Sequence, residues 1–468
     1  MPRTVRRSLW TSLLTPLVVL VALTTVGAAA RAEALFDPKT TWAVVAGVLE
    51  WKDPGLNPFP KELRKDKELF ETLGKLGVPA TQRALLLDER ATAPAIEKAV
   101  REMVGKAPAG ATLIVYYAGH GVKDQEGHVI FASADIALDK LDATGLHVDA
   151  IPSWMKGFKG RRVLLLADCC YSGGLIGPAG VLGKAGLQVL SLTSAEASNI
   201  STSNWTFTET VLEALAGRTL FDRDEDGGVE LGELHAEVKD GMRNREGQRS
   251  GWLAVGLGDD LVVAPSKLPD DKPTDRGTGD PDPRGSPGRA AGGNAEGVGG
   301  GFEIGDWVRA PHNDKMAPAR ILGVRGSGGK RGLPKELYVE FFDYATVSAA
   351  WVDRTATNAL DFTTYPVGTA LRVTWGNKVY DAKVTAVEDG FMRITYPGYE
   401  AKWDEWITTR RVVGLAGQPD KRKALQVKWK GNWYPAHLNE KRDGKWCISY
   451  DGFGSDWDEC VDKDRVRE

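Results

Sequence analysis

Cysteine is scarce in this chain, with four residues in 468. That is too few for a disulfide-dense secreted scaffold, which needs many bridges to replace a core. An excess of one charge is also missing. Lys and Arg number 60 against 63 Asp and Glu, for a net charge of −3. The totals therefore show no basic surplus of the kind that binds nucleic acid. Large apolar residues nearly vanish from Ser266 to Gly301, a run dense in Pro, Gly, Asp and Ser. Such a stretch cannot bury a core and reads as a disordered linker.

What is present is the composition of a soluble globular protein, 42% hydrophobic and 26% charged, long enough for two or more domains. The N-terminus differs. Arg3, Arg6 and Arg7 precede an uncharged apolar run from Leu13 to Ala30, followed by Ala30-Arg31-Ala32. A basic start, an apolar run and small residues make a signal peptide over 1–32, cleaved after Ala32. The body is then exported, periplasmic or secreted. If the run stays uncleaved, it is instead a membrane anchor.

The rest is organised around Arg161–Gly174, read as Arg-Arg-Val-Leu-Leu-Leu-Ala-Asp-Cys-Cys-Tyr-Ser-Gly-Gly. Val163–Leu166 has the apolar run of a strand buried on both faces. It ends in an acid, two cysteines and glycines, where open α/β sheets place their chemistry. Upstream, Thr112-Leu-Ile-Val-Tyr-Tyr-Ala-Gly-His120-Gly121 repeats the design with a histidine at its end. The two strand ends suggest a Cys–His nucleophile pair. Further strands are expected at Trp42–Val48, Ala84–Leu87, Leu187–Thr193 and Leu261–Ala264. Helices are expected at Asp66–Gly77, Ala91–Gly105 and Phe207–Ala216. Gly173–Gly186 reads as a Gly-rich loop with one basic residue, Lys184, a point for self-cleavage. Alternating strands and helices predict an α/β domain with a doubly wound, mostly parallel sheet.

Tyr-Tyr-Ala-Gly-His-Gly (116–121) and Asp-Cys-Cys-Tyr-Ser-Gly (168–173), in this order and at this spacing, resemble the caspase-like cysteine peptidases of metacaspase type. The resemblance spans about residues 40–265 and implies the caspase fold. Cys170 is the expected nucleophile and His120 its general base. The N–H groups of Gly121 and Cys170 are the expected oxyanion donors. Cys169 reads as a packed residue beneath the site. The resemblance also implies that Asp168 lines a substrate pocket that selects Arg or Lys. Asp66 falls where the family carries a second pocket acid, although Leu63-Arg-Lys-Asp66 departs from the usual pattern. The other reading of Asp66 is a solvated acid at a helix N-terminus.

Asp222-Arg-Asp-Glu-Asp-Gly-Gly-Val-Glu-Leu-Gly-Glu233 fits an EF-hand loop. Asp222, Asp224, Asp226, the Gly228 carbonyl and Glu233 stand at ligand positions suited to Ca²⁺. An acidic loop without metal is the alternative.

Beyond the linker the sequence repeats itself. Val373–Ala382 matches Val427–Ala436, and Trp403-Asp-Glu405 matches Trp457-Asp-Glu459. Each pair is offset by 54 positions, as Tyr450 is from Tyr396. A degenerate copy precedes them. The pattern resembles SH3-like barrels of Tudor and chromo-barrel type. Their aromatics (Trp375, Tyr396, Trp403, Trp406, Trp429, Trp433, Tyr450, Trp457) form either cages for cations or barrel cores. Cys447 and Cys460 lie on runs that read as neighbouring strands and are candidates for a disulfide. The expected layout is a peptidase domain at 33–265, the linker at 266–301, and modules at 302–359, 366–415 and 421–468. Partners are a protein or peptide substrate and an unidentified ligand of the modules. Two functions fit: an exported endopeptidase, or an inactive caspase-like scaffold carrying binding modules.

Overall fold

The computed structural model describes residues 33–62, 64–199, 204–266 and 302–468. The last span has short gaps at 313–314, 327–334, 343–346, 361, 376–377, 418–421, 430–431, 443 and 451–458. The expected signal segment 1–32 and linker residues 267–301 lie outside the described residues. No helix among the described residues is long and apolar enough to cross a membrane.

The first unit is built on β1 (Thr41–Gly47), α1 (Lys65–Lys75), β2 (Arg83–Leu87), α2 (Ala93–Lys106), β3 (Thr112–Ala118) and β4 (Arg162–Asp168). It continues with α3 (Ile176–Lys184), β5 (Gln188–Thr193), α4 (Thr206–Leu215), α5 (Leu231–Gly241) and β6 (Gly251–Val255). The six strands form one sheet in the order β6-β5-β4-β3-β1-β2. Five run parallel, and β6 pairs antiparallel with β5. β3 and β4 are buried at every residue, as their unbroken apolar runs require. Helices cover both faces. Ile96, Val100, Met103 and Val104 of α2 join Ala179 and Leu182 of α3 on one side. Leu69 and Leu73 of α1, Phe207 and Val211 of α4, and Val238 of α5 fill the other. The start of α2 shows local encoding: Thr92 accepts from the Ala95 N–H, and Pro94 sits in the first turn.

Two expectations need correction. Gly173–Gly186 is not a loop: a short 3₁₀ turn leads into α3, and Lys184 ends that helix. Three glycines in nine residues oppose a helix by roughly 1 kcal/mol each. Tertiary packing overrides them, since Pro178, Ala179 and Leu182 are buried. A Cβ at Gly183 would lie 2.6 Å from Val255 Cγ1, so glycine lets α3 lie close to β6. The second correction concerns the sheet edge. The final strand, Val262–Pro265, pairs with Gly228–Glu230 in a separate ribbon. The sixth strand is Gly251–Val255, which the sequence reading passed over.

The remaining chain forms three five-stranded antiparallel sheets of identical strand order, each around its own small core. In each, a long second strand carries a bulge, at Ile321/Gly323, Val384/Ala386 and Leu438/Glu440. A bulge bends a strand and lets a short sheet curl. In the third module Cys447 and Cys460 stand opposite each other on paired strands and are disulfide-bonded.

The first two modules dock on the caspase-like unit. Arg320 of the first is buried against Glu237 of α5, and Glu340 meets Arg218 at 2.8 Å. In the second, Arg410 donates to the carbonyls of Asn244 (2.6 Å) and Arg245 (2.8 Å). Those carbonyls lie where the chain after α5 widens into a turn of π-helix, a form that turns carbonyls away from the helix ladder. Arg249 lies 4.4 Å over the Trp406 ring, and Asn199 donates to the Trp406 carbonyl at 2.6 Å.

Candidate active site

The site is set by the register of β3 on β4. Ala118 pairs with Asp168, and the Gly119 N–H donates to the Asp168 carbonyl at 3.3 Å. His120 and Cys170 each follow two residues beyond that pair, on adjacent strand tips. The tips nearly touch: a Cβ on Gly121 would sit 1.9 Å from the Cys170 carbonyl oxygen. Besides its expected place as an oxyanion donor, Gly121 must be glycine for the two tips to approach. The β3 tip is held by the Tyr117 hydroxyl, which donates to the carbonyls of Ala132 (2.8 Å) and His120 (3.1 Å).

The His120 ring packs against both Trp51 and Phe59, with ring centroids at 4.5 and 4.4 Å. Its Nε2 lies 2.9 Å from the Asn57 carbonyl oxygen. A carbonyl only accepts, so Nε2 carries the hydrogen and Nδ1 keeps the lone pair. Burial lowers the imidazole pKa, which favours the neutral form that a general base needs. Asn57, Trp51 and Phe59 carried no signal in the sequence, because the loop that bears them is ordered only by the fold.

Cys170 is half-buried and Cys169 is buried. Burial pushes the Cys169 thiol well up, which makes it inert, as expected of a residue beneath the site. Tyr171 follows with φ of +56°, a left-handed conformation that costs a non-glycine residue roughly 1 kcal/mol or more. Its N–H is held by the Asn199 carbonyl at 2.8 Å, and the Lys123 ammonium lies 4.6 Å from its ring. The strained turn carries Cys170 out of the strand direction. Strand alternation, which would put Asp168 and Cys170 on one face, therefore ends at Asp168. Asp168 turns toward α4, while Cys170 packs at the edge of the opposite layer.

The Asp168 carboxylate accepts from the Thr208 hydroxyl at 2.6 Å and the Thr208 N–H at 3.3 Å. Burial raises its pKa to about 7, the Thr208 and Ser194 hydrogen bonds pull it down, and Glu246 pushes it up. None of these groups is a cation. Asp66 differs. It is wholly buried at the start of α1 and gripped by Arg64, at 2.8 Å to Nε and 2.7 Å to Nη2. Arg64 also meets Asp88 at 2.8 Å. The Asp66 charge is neutralised inside the protein, which corrects its expected place in a substrate pocket and its alternative as a solvated helix acid. The neighbouring Arg64 is the residue whose role the sequence left unread.

Two groups of ligand-type side chains lie outside this site. Asp124, Glu126 and His128 cluster on the hairpin after His120. There the Asp124 carboxylate accepts from the His128 N–H and meets Nδ1, both at 2.8 Å, closing a turn. Asp222, Asp224 and Asp226 bring their oxygens together at the start of the expected EF-hand. Asp222 is buried, and its Oδ1 has no hydrogen-bond partner among the described residues. A buried bare carboxylate oxygen is costly, and a cation would satisfy it, so the loop's donors fit Ca²⁺. Glu233 closes the loop from its other end. Its carboxylate caps α5 and also reaches back to the start of the loop, accepting from the N–H groups of Arg223, Asp224 and Glu230.

Residues 59–270 match the family model described as the caspase domain. No curated protein matches the chain. Among solved structures, protein GSU0716 from Geobacter sulfurreducens is similar at 13% identity and a TM-score of 0.34, covering 48% of this chain and 97% of that one. The four MBT repeats of Drosophila melanogaster Sfmbt, solved with a methyl-lysine peptide, are similar at 10% identity and a TM-score of 0.14. They cover 35% of this chain and 63% of that one. With that match, a mostly parallel sheet flanked by helices, and His and Cys on adjacent strand tips, residues 59–270 of the chain are a caspase domain.

Proposed function

We propose that this chain is an exported cysteine endopeptidase that cleaves after Arg or Lys. The observation that carries the reading is the pairing of Ala118 with Asp168, which brings His120 and Cys170 to neighbouring tips. His120 Nδ1 takes the proton of the Cys170 thiol, and the thiolate attacks the scissile carbonyl carbon. The carbonyl π pair moves onto oxygen, and N–H groups of Gly121 and Cys170 receive the oxyanion. The imidazolium, steadied by the Asn57 carbonyl, gives its proton to the leaving amine as the C–N bond breaks. Water, deprotonated by the same imidazole, then hydrolyses the thioester and frees Cys170.

Asp168 supports a basic residue before the cut. It is a buried carboxyl whose hydrogen-bond partners among the described residues are the Thr208 hydroxyl and N–H, not a cation, so an incoming guanidinium or ammonium would supply a balancing charge. Asp66 takes no part, because Arg64 already balances it. Asp222, Asp224 and Asp226 would hold Ca²⁺, with the Gly228 carbonyl nearby in the loop. The modules would serve in targeting or substrate capture.

The test uses the chain from residue 33 onward, with and without Ca²⁺, on fluorogenic peptides ending in Arg, Lys or Asp. Cleavage after Arg or Lys, lost in Cys170→Ala, is the expected result. Cleavage only after Asp overturns the pocket assignment. A well-folded wild-type chain that cleaves none of the three supports the scaffold reading instead.

A further inference from the structure

The turn that carries Cys170 is backed by residues 195–199, and that segment is shared with the second module. On the turn's side, the Ser172 hydroxyl donates to the Ala195 carbonyl at 3.3 Å and accepts from the Ala195 N–H at 3.1 Å. A Cβ on Gly173 would lie 2.5 Å from the Ala197 nitrogen, so turn and segment touch along their backbones. Asn199 completes the contact, because its carbonyl holds the N–H of Tyr171, the left-handed residue after Cys170. On the module's side, the Asn199 side chain donates to the Trp406 carbonyl at 2.6 Å. One buried residue thus joins the catalytic turn to the module.

Arg249 fastens the same segment to the module a second time. Its carbonyl accepts from the Glu196 N–H at 2.9 Å, and its Nε meets the Glu196 carboxylate at 2.9 Å. Its Nη1 meets Glu388 of the module at 3.0 Å, and its guanidinium covers the Trp406 ring. The hairpin after His120 also reaches the module, with the Lys123 ammonium donating to the Lys402 carbonyl at 3.1 Å. The module therefore spans both strand tips.

The repeat shows that this docking belongs to the second module. Its Tyr396 hydroxyl and Arg411 both bind Glu405, and the third module keeps that lock as Tyr450, Arg465 and Glu459. The docking residues are not kept. At the offset of 54, Trp406 corresponds to Cys460, Glu388 to Arg442 and Arg410 to Asp464. The packing that folds a module is common to both, whereas two charges that face the caspase domain are reversed.

We propose that Asn199 is a positioning residue, through which the docked second module holds the Tyr171 turn and so aims Cys170 at His120. A strained backbone persists only where its surroundings over-determine it, and here part of those surroundings belongs to the module. The inference deepens the peptidase reading, and it rests on a contact with residues beyond the matched span 59–270.

The test uses the chain from residue 33 and cuts the link in two ways. Asn199→Asp keeps the shape of the side chain and removes the donor to Trp406. Glu388→Arg with Arg410→Asp gives the second module the charges of the third, which folds with them, and so releases docking without unfolding the module. Alkylation of Cys170 by iodoacetamide, followed by intact mass across pH, reports the thiolate without any peptide being cleaved. Cys169 is buried and the other two cysteines are bonded, so neither obscures the reading. Hydrolysis of a fluorogenic arginine peptide, scaled to alkylatable Cys170, gives kcat and KM.

Both variants should move the alkylation profile up toward the ordinary thiol value of about 8.5. Both should lower kcat about tenfold and change KM less than about twofold, because a misaimed nucleophile still binds substrate. Joined in one chain, the changes should cost no more than the larger of the two, since both cut one path. A merely structural loss would reduce the number of active molecules and leave kcat per Cys170 and the alkylation profile unmoved. An unmoved profile and kcat in both variants overturn the proposal, and so does faster cleavage on release, which would make the module an obstruction. A wild-type chain that never cleaves, while both variants shift the profile, refutes the peptidase chemistry alone. One that cleaves equally well in every variant refutes the positioning alone.

Discussion

Raising the pH through neutrality should weaken the folded protein through one carboxyl, that of Asp168. Burial lifts its pKa from the ordinary 3.8 to about 7. Below the lower value the carboxyl is protonated in both folded and unfolded chains and contributes nothing. Between the two values only the unfolded chain releases the proton, so each pH unit favours unfolding by about 1.4 kcal/mol. Above about 7 both states are ionised and the penalty is complete, at about 4 kcal/mol. This is the reverse of an acid held by a salt bridge, whose contribution is lost on acidification. Asp168→Asn removes the titration and keeps an acceptor for the Thr208 hydroxyl. Denaturant unfolding of both proteins, followed by tryptophan fluorescence from pH about 4 to about 8, isolates the effect by difference. The variant should gain on the wild type as pH rises, by up to about 4 kcal/mol. Parallel curves would refute the claim that Asp168 is buried without a cation. Adding a peptide that ends in arginine should shrink the gap, because the guanidinium supplies the absent charge.

Arg320→Ala strips the buried Glu237 of one of its two arginines. Truncating one member of a buried pair costs about 3–5 kcal/mol. Release of the first module can limit the loss, so the expected signs are a lower melting temperature and faster proteolysis near that module; unchanged values on both counts reject the pairing. Asp222→Ala should abolish Ca²⁺ binding by calorimetry, whereas a wild-type chain that binds none removes the ion from the account. Gly121→Ala should abolish activity, because its Cβ would fall 1.9 Å from the Cys170 carbonyl oxygen, and near-normal turnover would show that the two tips are not so closely apposed. Reduction of the Cys447–Cys460 bridge should destabilise the third module by roughly 3 kcal/mol, from loop closure, and leave cleavage of short peptides unchanged.

Local pattern was enough for much of the first unit. Thr112–Ala118 is a strand with the expected ends, and α1, α2 and α4 fall within a few residues of their predicted spans. Where the pattern misled, tertiary contact had the larger energy. Ile176–Lys184 is helical despite its glycines, because one face packs into the sheet. Gly251–Val255 became the edge strand in place of the more apolar run that follows it. Asp66 was judged by its position in a motif, yet its fate was decided by Arg64 two residues away, whose side-chain direction no spacing rule supplies.

The sequence by itself determined the caspase domain, the two strand-end residues proposed for catalysis and the repeat of small β modules, because each is written in contiguous residues with a characteristic period or motif. Only the tertiary structure decided that Asp66 is paired with Arg64 while Asp168 accepts from the hydroxyl and N–H of Thr208, that the Asn57 carbonyl holds His120, and that the second module meets the turn at Tyr171. Those facts depend on groups far apart in the chain coming within a few ångströms, as when Asn199 reaches Trp406. Charge balance and cavity shape are properties of such meetings, and no stretch of sequence contains them.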